Sequence, residues 1–135
     1  MENSFQKIFH AYGGIGRGSL FLCYRWLAFS HRKASKAVPE RGLIYDLGCG
    51  YGIFSIYLAL ESQKREIVAV DFSRMRLRCG ERAARNLELN ITFIQDNFFN
   101  IILEPCEAIV LNDVLHHIPG WSEQKKLIKK IASAI

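Results

Sequence analysis

A chain of 135 residues with 50% apolar and 23% charged side chains has the length of one domain and a globular composition, which excludes a disordered chain. Eighteen Lys and Arg against 13 Asp and Glu leave a net charge of +5 and a pI near 9.2, a balance that permits an acidic or nucleic-acid partner without demanding one, because no long basic run occurs. Cys23, Cys49, Cys79 and Cys106 contain no C-x-x-C and no Cys/His pair at zinc-ligand spacing, so free thiols in a cytoplasmic protein are expected, with no disulfide framework and no metal. The longest apolar run, Ser19 to Ser30, is too short for a bilayer span of roughly 20 residues and lacks the flanks of a signal peptide.

Residues 1–38 form an N-terminal helical or lid segment. It has a polar start, a glycine-rich turn Gly13-Gly14-Ile15-Gly16-Arg17-Gly18, and the run Leu20–Phe29, broken only by Arg25, which reads as a helix docked on the body or lying on a surface. His31 to Lys36 adds basic side chains, and Pro39 closes the segment. Residues 39–135 alternate short β-branched runs with helical ones. Strands are expected at Leu43–Asp46, Glu66–Asp71, Ile91–Gln95 and Ala108–Asn112, and helices at Ile53–Leu60 and from an N-cap at Ser73 to about Leu89. Ser122 is expected to cap a last amphipathic helix that gathers Leu127, Ile128, Ile131, Ala132 and Ile135 on one face. This alternation predicts βαβ units and a parallel, doubly wound α/β sheet. The chain stops on that apolar stripe with its fourth strand as an open edge, so a truncation, or a partner such as a second copy covering the edge, is expected.

Ile44-Tyr45-Asp46-Leu47-Gly48-Cys49-Gly50-Tyr51-Gly52 sets three alternating glycines between a strand and a helix. Glycine is needed where a backbone turns sharply or where a ligand comes so near that a Cβ would clash. A dinucleotide site wants G-x-G-x-x-G/A with pyrophosphate on the helix N-terminus; here the third position is Ile53, and the Asp46 carboxylate would repel a pyrophosphate. Asp46 suits a cationic ligand instead. Asp71, ending the second strand, can accept from ribose hydroxyls, contacts worth about 1.5–3 kcal/mol each.

Asp46-x-Gly48-x-Gly50-x-Gly52, Asp71 after a second strand, Gln95-Asp96-Asn97 after a third and Asn112-Asp113-Val114-Leu115-His116-His117 after a fourth resemble a class I S-adenosylmethionine-dependent methyltransferase of the small-molecule type. The resemblance covers roughly residues 40–135, the cofactor half of a Rossmann-like fold whose later strands usually finish the substrate pocket. It implies that Asp46 orients the methionine ammonium and that Gly48, Cys49, Gly50, Tyr51 and Gly52 form the loop that approaches the cofactor. It implies further that Asp71 holds both ribose hydroxyls beside Phe72, that Asp96 accepts from the adenine amino group with Asn97 and Phe98 lining the ring pocket, and that Asn112 faces the methyl group. The product would be S-adenosylhomocysteine.

Methyl transfer from a sulfonium is an in-line displacement in which the protein aligns the nucleophile and excludes water. A base is needed only if the nucleophile must lose a proton, and His116, His117 and Asp113 are the candidates after the fourth strand. The aromatic run Leu20–Phe29 suits a lid over a small or amphiphilic acceptor; packing on the sheet, or membrane contact through Trp26 with Arg25, Arg32, Lys33 and Lys36, are its other readings. Arg74, Arg78, Arg82 and Arg85 share one helix face that is expected to be solvated. Three functions follow: a methyltransferase acting on a small or lipid-like acceptor, a non-catalytic cofactor-binding half that needs a partner, and an RNA-binding module. The last is disfavoured because Asn112-Asp113-Val114-Leu115 stands where base methylators carry an Asn/Asp-Pro-Pro-Tyr motif.

Overall fold

The computed structural model describes residues 3–14 and 19–135. Four parallel strands, β1 (Gly42–Leu47), β2 (Arg65–Asp71), β3 (Ile91–Gln95) and β4 (Ala108–Val110), form one sheet in the order β3-β2-β1-β4. β1 and β2 are central and read as near-continuous apolar runs because both their faces are covered. Their register aligns Asp46 with Ala69 and Leu47 with Val70, and β2 in turn sets Asp71 beside Gln95. The chain runs outward from β1 to β3 and then returns to the other side of β1, so the reversal of strand order falls between β1 and β4.

Ile44 and Ile67 turn to one face, where α1 (Ser4–Ala11), α4 (Ile53–Glu61) and α5 (Arg74–Asn86) build the main core. α4 is buried at every residue from Ile53 to Ala59, since the sheet lies beneath it and α1, α2 (Ser19–Ala28) and α3 (His31–Ser35) close over it. Tyr45, Leu47, Val68 and Val70 turn to the opposite face, covered by the β3–β4 connection through Ile101 and by α6 (Trp121–Ala132) through Ile131. The Arg65 guanidinium, only 7% exposed, donates to Pro39 O at 2.7 Å, Leu58 O at 2.8 Å and Val38 O at 3.0 Å. Three charge-assisted hydrogen bonds thus tie the start of β2 to the end of α4 and to the segment before β1.

Several expectations are corrected. The polar start is helix α1, capped by Asn3 and Gln6 bonding each other's backbone N–H at 2.9 and 3.0 Å, a capping box written in the sequence as Asn-x-x-Gln. Of the glycine-rich segment, Gly13 and Gly14 terminate α1 with positive φ, whereas Ile15 to Gly18 lie outside the described residues. β4 stops at Val110, because only Ala108–Val110 pair with β1 before the chain turns away. α6 is capped at Gly120 and not Ser122, which sits inside its first turn. Its inward line is Leu127, half-buried Ile131 and, beyond its end, Ala134, while Ile128 and Ile135 are exposed at 44% and 67% and Ala132 is exposed too. The stripe is narrower because Lys130 occupies the inward position between Leu127 and Ile131, donating to Phe98 O at 3.2 Å and Phe99 O at 2.7 Å.

Candidate functional site

A cavity of about 1080 Å³ opens at the C-terminal ends of the strands, at the point where strand order reverses. Its floor holds the two acids read from the sequence. Asp46 is 1% exposed; its Oδ2 accepts from Ser55 Oγ at 2.6 Å, and its Oδ1 is buried without any partner. Burial pushes its carboxyl up to about 6, against the lowering effect of Ser55 and with a further push from the Asp71 charge. A buried carboxylate oxygen with an unused lone pair is costly unless a donor arrives, so this residue is prepared for a cationic or N–H ligand.

Asp71 is 3% exposed and knits the site together. Its Oδ2 accepts from Gly50 N at 2.9 Å, its Oδ1 from Ser73 N at 2.8 Å, and an Arg76 guanidinium nitrogen lies 3.9 Å from Oδ2. A carboxylate offers about four acceptor positions, so two backbone N–H groups leave room for two hydroxyl donors. The residue therefore positions Ser73, the N-cap of α5, and lines the cavity at once.

The three glycines of the turn have different reasons for being glycine. All have positive φ, at +75°, +58° and +75° for Gly48, Gly50 and Gly52. A Cβ on Gly48 would meet Val114 Cγ2 at 2.5 Å, and one on Gly52 would meet Phe93 Cε1 at 2.8 Å. Only at Gly50 would a Cβ find open space, the cavity itself. Gly48 and Gly50 both line the cavity, as expected of a loop that approaches a ligand, although at Gly48 a Cβ is excluded by the loop after β4; Gly52 makes room for the β3 side chain and does not line the cavity. Cys49 lines the cavity with a thiol that burial raises well above its usual range, so it is a packing residue and not a nucleophile. Tyr51 O accepts from Tyr12 Oη at 2.5 Å, fastening the turn to α1.

Phe72, 67% exposed, stands at the mouth with the Arg76 guanidinium 5.4 Å from its ring centre. Asp96 N–H donates to Asp71 O at 3.2 Å, Asp96 Oδ1 accepts from Asn97 N at 2.7 Å, and Asn97 Oδ1 accepts from Phe99 N at 3.0 Å. This chain of local bonds folds Asp96, Asn97 and Phe98 into the cavity wall, and Lys130 pins the loop from below.

The far side is formed by Asn112, Asp113, Val114 and the single 3₁₀ turn Leu115–His117. Asp113 adopts φ +64°, a left-handed conformation uncommon outside glycine, and is held there by Arg25 of α2, whose guanidinium reaches its Oδ2 at 3.0 Å. His116 Nδ1 lies 3.3 Å from the other oxygen, and the His117 ring packs against His116 with ring centres 3.8 Å apart and planes tilted by 43°. The hydrogen bond from Arg25 holds the Asp113 carboxyl below the usual carboxylate range and ties this loop to α2. Gln124 Nε2 donates to Leu115 O and Ile118 O, both at 3.1 Å, and fixes this turn to α6.

Ser55, Arg25, Gln124 and Lys130 were missed as site residues, as was His31, which lines the cavity as an imidazole that burial holds at about 4 and therefore neutral. Arg25 had a signal, as the only polar break in an apolar run; the others act through tertiary contacts. Among the described residues no cluster of three His, Cys, Asp or Glu side chains is placed to hold a metal, and no helix is long and apolar enough to cross a membrane.

Residues 44–135 match a family described as methyltransferase domain. A carboxy-S-adenosyl-L-methionine synthase of Nautilia profundicola is 30% identical over 98 residues, 73% of this chain and 42% of that protein. A malonyl-[acyl-carrier protein] O-methyltransferase of Halalkalibacterium halodurans is 27% identical over 108 residues, 80% of this chain and 40% of that protein. The chain thus spans less than half the length of these curated relatives. Among solved structures, magnesium protoporphyrin IX methyltransferase from Synechocystis with bound S-adenosylmethionine superposes with a TM-score of 0.70 at 19% identity, over 98% of this chain and 66% of that one.

Proposed function

We propose that this chain, which belongs to the methyltransferase domain family, binds S-adenosylmethionine in the cavity at its strand ends and serves methyl transfer to a small or amphiphilic acceptor. The observation that carries the reading is the partnerless, fully buried Oδ1 of Asp46 beside a turn whose one open glycine, Gly50, leaves ligand space. The residues present fit the group. Asp46 would take the ammonium of the methionine part, Asp71 the ribose hydroxyls with its free lone pairs, and Asp96 the adenine amino group between Phe72 and Phe98. Asn112 would face the reactive end. Asp46, Asp71 and Asp96, three of the five carboxylate residues that line the cavity, favour a ligand with a positive charge and several O–H or N–H donors over a pyrophosphate.

Bound there, S-adenosylmethionine supplies an electrophilic methyl group on a sulfonium. This chain's own residues supply position and proton traffic. The floor aligns the donor, and Phe21, Tyr24 and the 112–119 loop shut out water, alignment of this kind being worth up to about 7–11 kcal/mol of barrier. His116, with Nδ1 turned to Asp113, keeps Nε2 to accept the acceptor's proton, and the tilted His117 ring packs against it. The expected result of isothermal titration is micromolar affinity for S-adenosylhomocysteine and none for NAD; equal affinity for both, or binding of NAD alone, would overturn the reading.

A further inference from the structure

The charge of the molecule is not evenly spread. Residues 3–38 contain six Lys and Arg and no Asp or Glu, whereas residues 39–135 contain twelve of each. The whole excess of positive charge therefore sits on α1 to α3 and the segments joining them. The same segment carries the most exposed run of large apolar side chains: Leu20, Tyr24 and Leu27 of α2 are 81%, 66% and 84% exposed and recur at helical spacing. Nothing in the core requires them there. α2 buries Leu22 on its other side, and Trp26 is turned inward, stacked on His31 at 4.4 Å and packed against Phe5 at 5.2 Å.

The basic side chains lie next to this stripe. α3 follows α2 after only Phe29 and Ser30, and its Arg32 and Lys33, with Lys36 just beyond, are exposed. Leu27, Arg32 and Lys36 line one groove of about 890 Å³ together with Phe5, Trp26 and Tyr57, and Glu61 of α4 is the one carboxylate residue on it against these two cations. An apolar stripe bordered by cations, with no carboxylate in its own segment, matches a surface that is itself apolar beneath and anionic at its face.

We propose that α2 and α3 form a peripheral docking surface for anionic phospholipid bilayers, with Leu20, Tyr24 and Leu27 entering the boundary between headgroups and acyl chains and Arg32, Lys33 and Lys36 meeting the lipid phosphates. Tyr24 has the amphipathic ring favoured at that depth. Trp26, read from the sequence as the membrane contact, is instead part of the core that holds α2 in place. Because Phe21, Tyr24 and Arg25 also border the cavity, docking sets the cavity mouth at the bilayer surface. The surface itself does not depend on what the cavity binds.

The test is co-sedimentation of the chain with vesicles of phosphatidylcholine alone and of phosphatidylcholine mixed with phosphatidylglycerol. Binding to the mixed vesicles is expected to be at least tenfold tighter and to weaken with salt, about fivefold being lost for each cation removed. Leu20→Glu with Leu27→Glu, and separately Lys33→Glu with Lys36→Glu, are expected to abolish it, whereas Arg78→Glu with Arg82→Glu on α5 is not. All are exposed positions, so circular dichroism and melting temperature should match the parent. Absence of binding to the mixed vesicles, or binding that survives Leu20→Glu with Leu27→Glu, overturns the proposal. A dimer that falls apart in that variant, without vesicle binding in the parent, overturns it in favour of a second copy on the same face.

Discussion

The floor and the roof of the cavity are built on opposite principles. The floor, from Asp46 through Gly50 to Asp71, is buried and fixed by backbone: Gly48 and Cys49 N–H both reach Val70 O, at 2.7 and 3.0 Å, and Gly50 and Ser73 N–H clamp Asp71. The roof, from α2 to the 112–117 turn, hangs on exposed side chains, chiefly the Arg25–Asp113 pair with side chains 30% and 54% exposed. Hydrogen bonds within a buried lattice keep their strength, whereas an exposed ion pair is worth about 0–1 kcal/mol. A floor held by buried backbone bonds under a roof held by one exposed ion pair is the division expected where one ligand must be held in register while another enters and leaves. Each half can be broken separately.

The largest effect is expected at Asp71. Asp71→Ala removes the acceptor for two hydroxyls and for two backbone N–H groups together, and affinity for S-adenosylhomocysteine should fall at least 100-fold by isothermal titration, at about 1.5–3 kcal/mol per charged hydrogen bond. Unchanged affinity would remove the second strand from the site. Next in size is His116→Ala on the roof. Turnover should drop about 100-fold once an acceptor is in hand, with cofactor affinity unaltered. A parallel loss of cofactor affinity would show that His116 holds the ligand instead of the proton.

How far these two halves were legible beforehand differs in the same way. The floor is local in sequence: an apolar β-branched run, a turn that needs positive φ three times, and an acid at each strand end all leave marks within a few residues. β3 at Ile91–Gln95 and the N-cap at Ser73 were read to the residue for that reason. The roof depends on Arg25 meeting Asp113 across 88 positions, and the wall beside it on Lys130 reaching back to Phe99 across 31, which no local period records. Even on the floor, the pattern Gly-x-Gly-x-Gly shows that glycine is needed but not what would clash; Val114 and Phe93, not the ligand, decide two of the three cases. The inward Lys130 misled the helical pattern, since a cation satisfied by two carbonyls can occupy a core position that apolar counting assigns to its neighbours.

Asp46 gives the third effect and a pH signature. Burial raises its carboxyl from 3.8 to about 6, so the folded chain holds this proton more tightly than the unfolded chain does. Ionisation therefore opposes folding: the penalty is absent below pH 4, grows between about 4 and 6, and above that amounts to roughly 2–3 kcal/mol in the ligand-free chain. Asp46→Asn is expected to raise the melting temperature at pH 7 but not at pH 4, while weakening S-adenosylhomocysteine about tenfold at pH 7. A melting-temperature difference that stays constant between pH 4 and pH 7 would mean the carboxylate is already compensated within the fold.

The smallest effect separates roof from floor most cleanly. Arg25→Met deletes the guanidinium that holds Asp113 at φ +64° and keeps the aliphatic stem against the cavity. Because the pair is exposed, thermal stability should change by no more than about 0.5 kcal/mol. Cofactor affinity should hold within twofold, about the 0.5 kcal/mol allowed for an exposed pair, since no floor hydrogen bond involves α2. What should change is the acceptor side: with Asp113 released, His116 loses the oxygen 3.3 Å from its Nδ1, and kcat should fall about tenfold with little change in cofactor KM. Arg25→Lys restores the charge but not the planar fork, so it should recover only part of the loss. If Arg25→Met instead weakened the cofactor as strongly as Asp71→Ala, roof and floor would be one cooperative unit, and α2 would belong to the binding site and not to its cover.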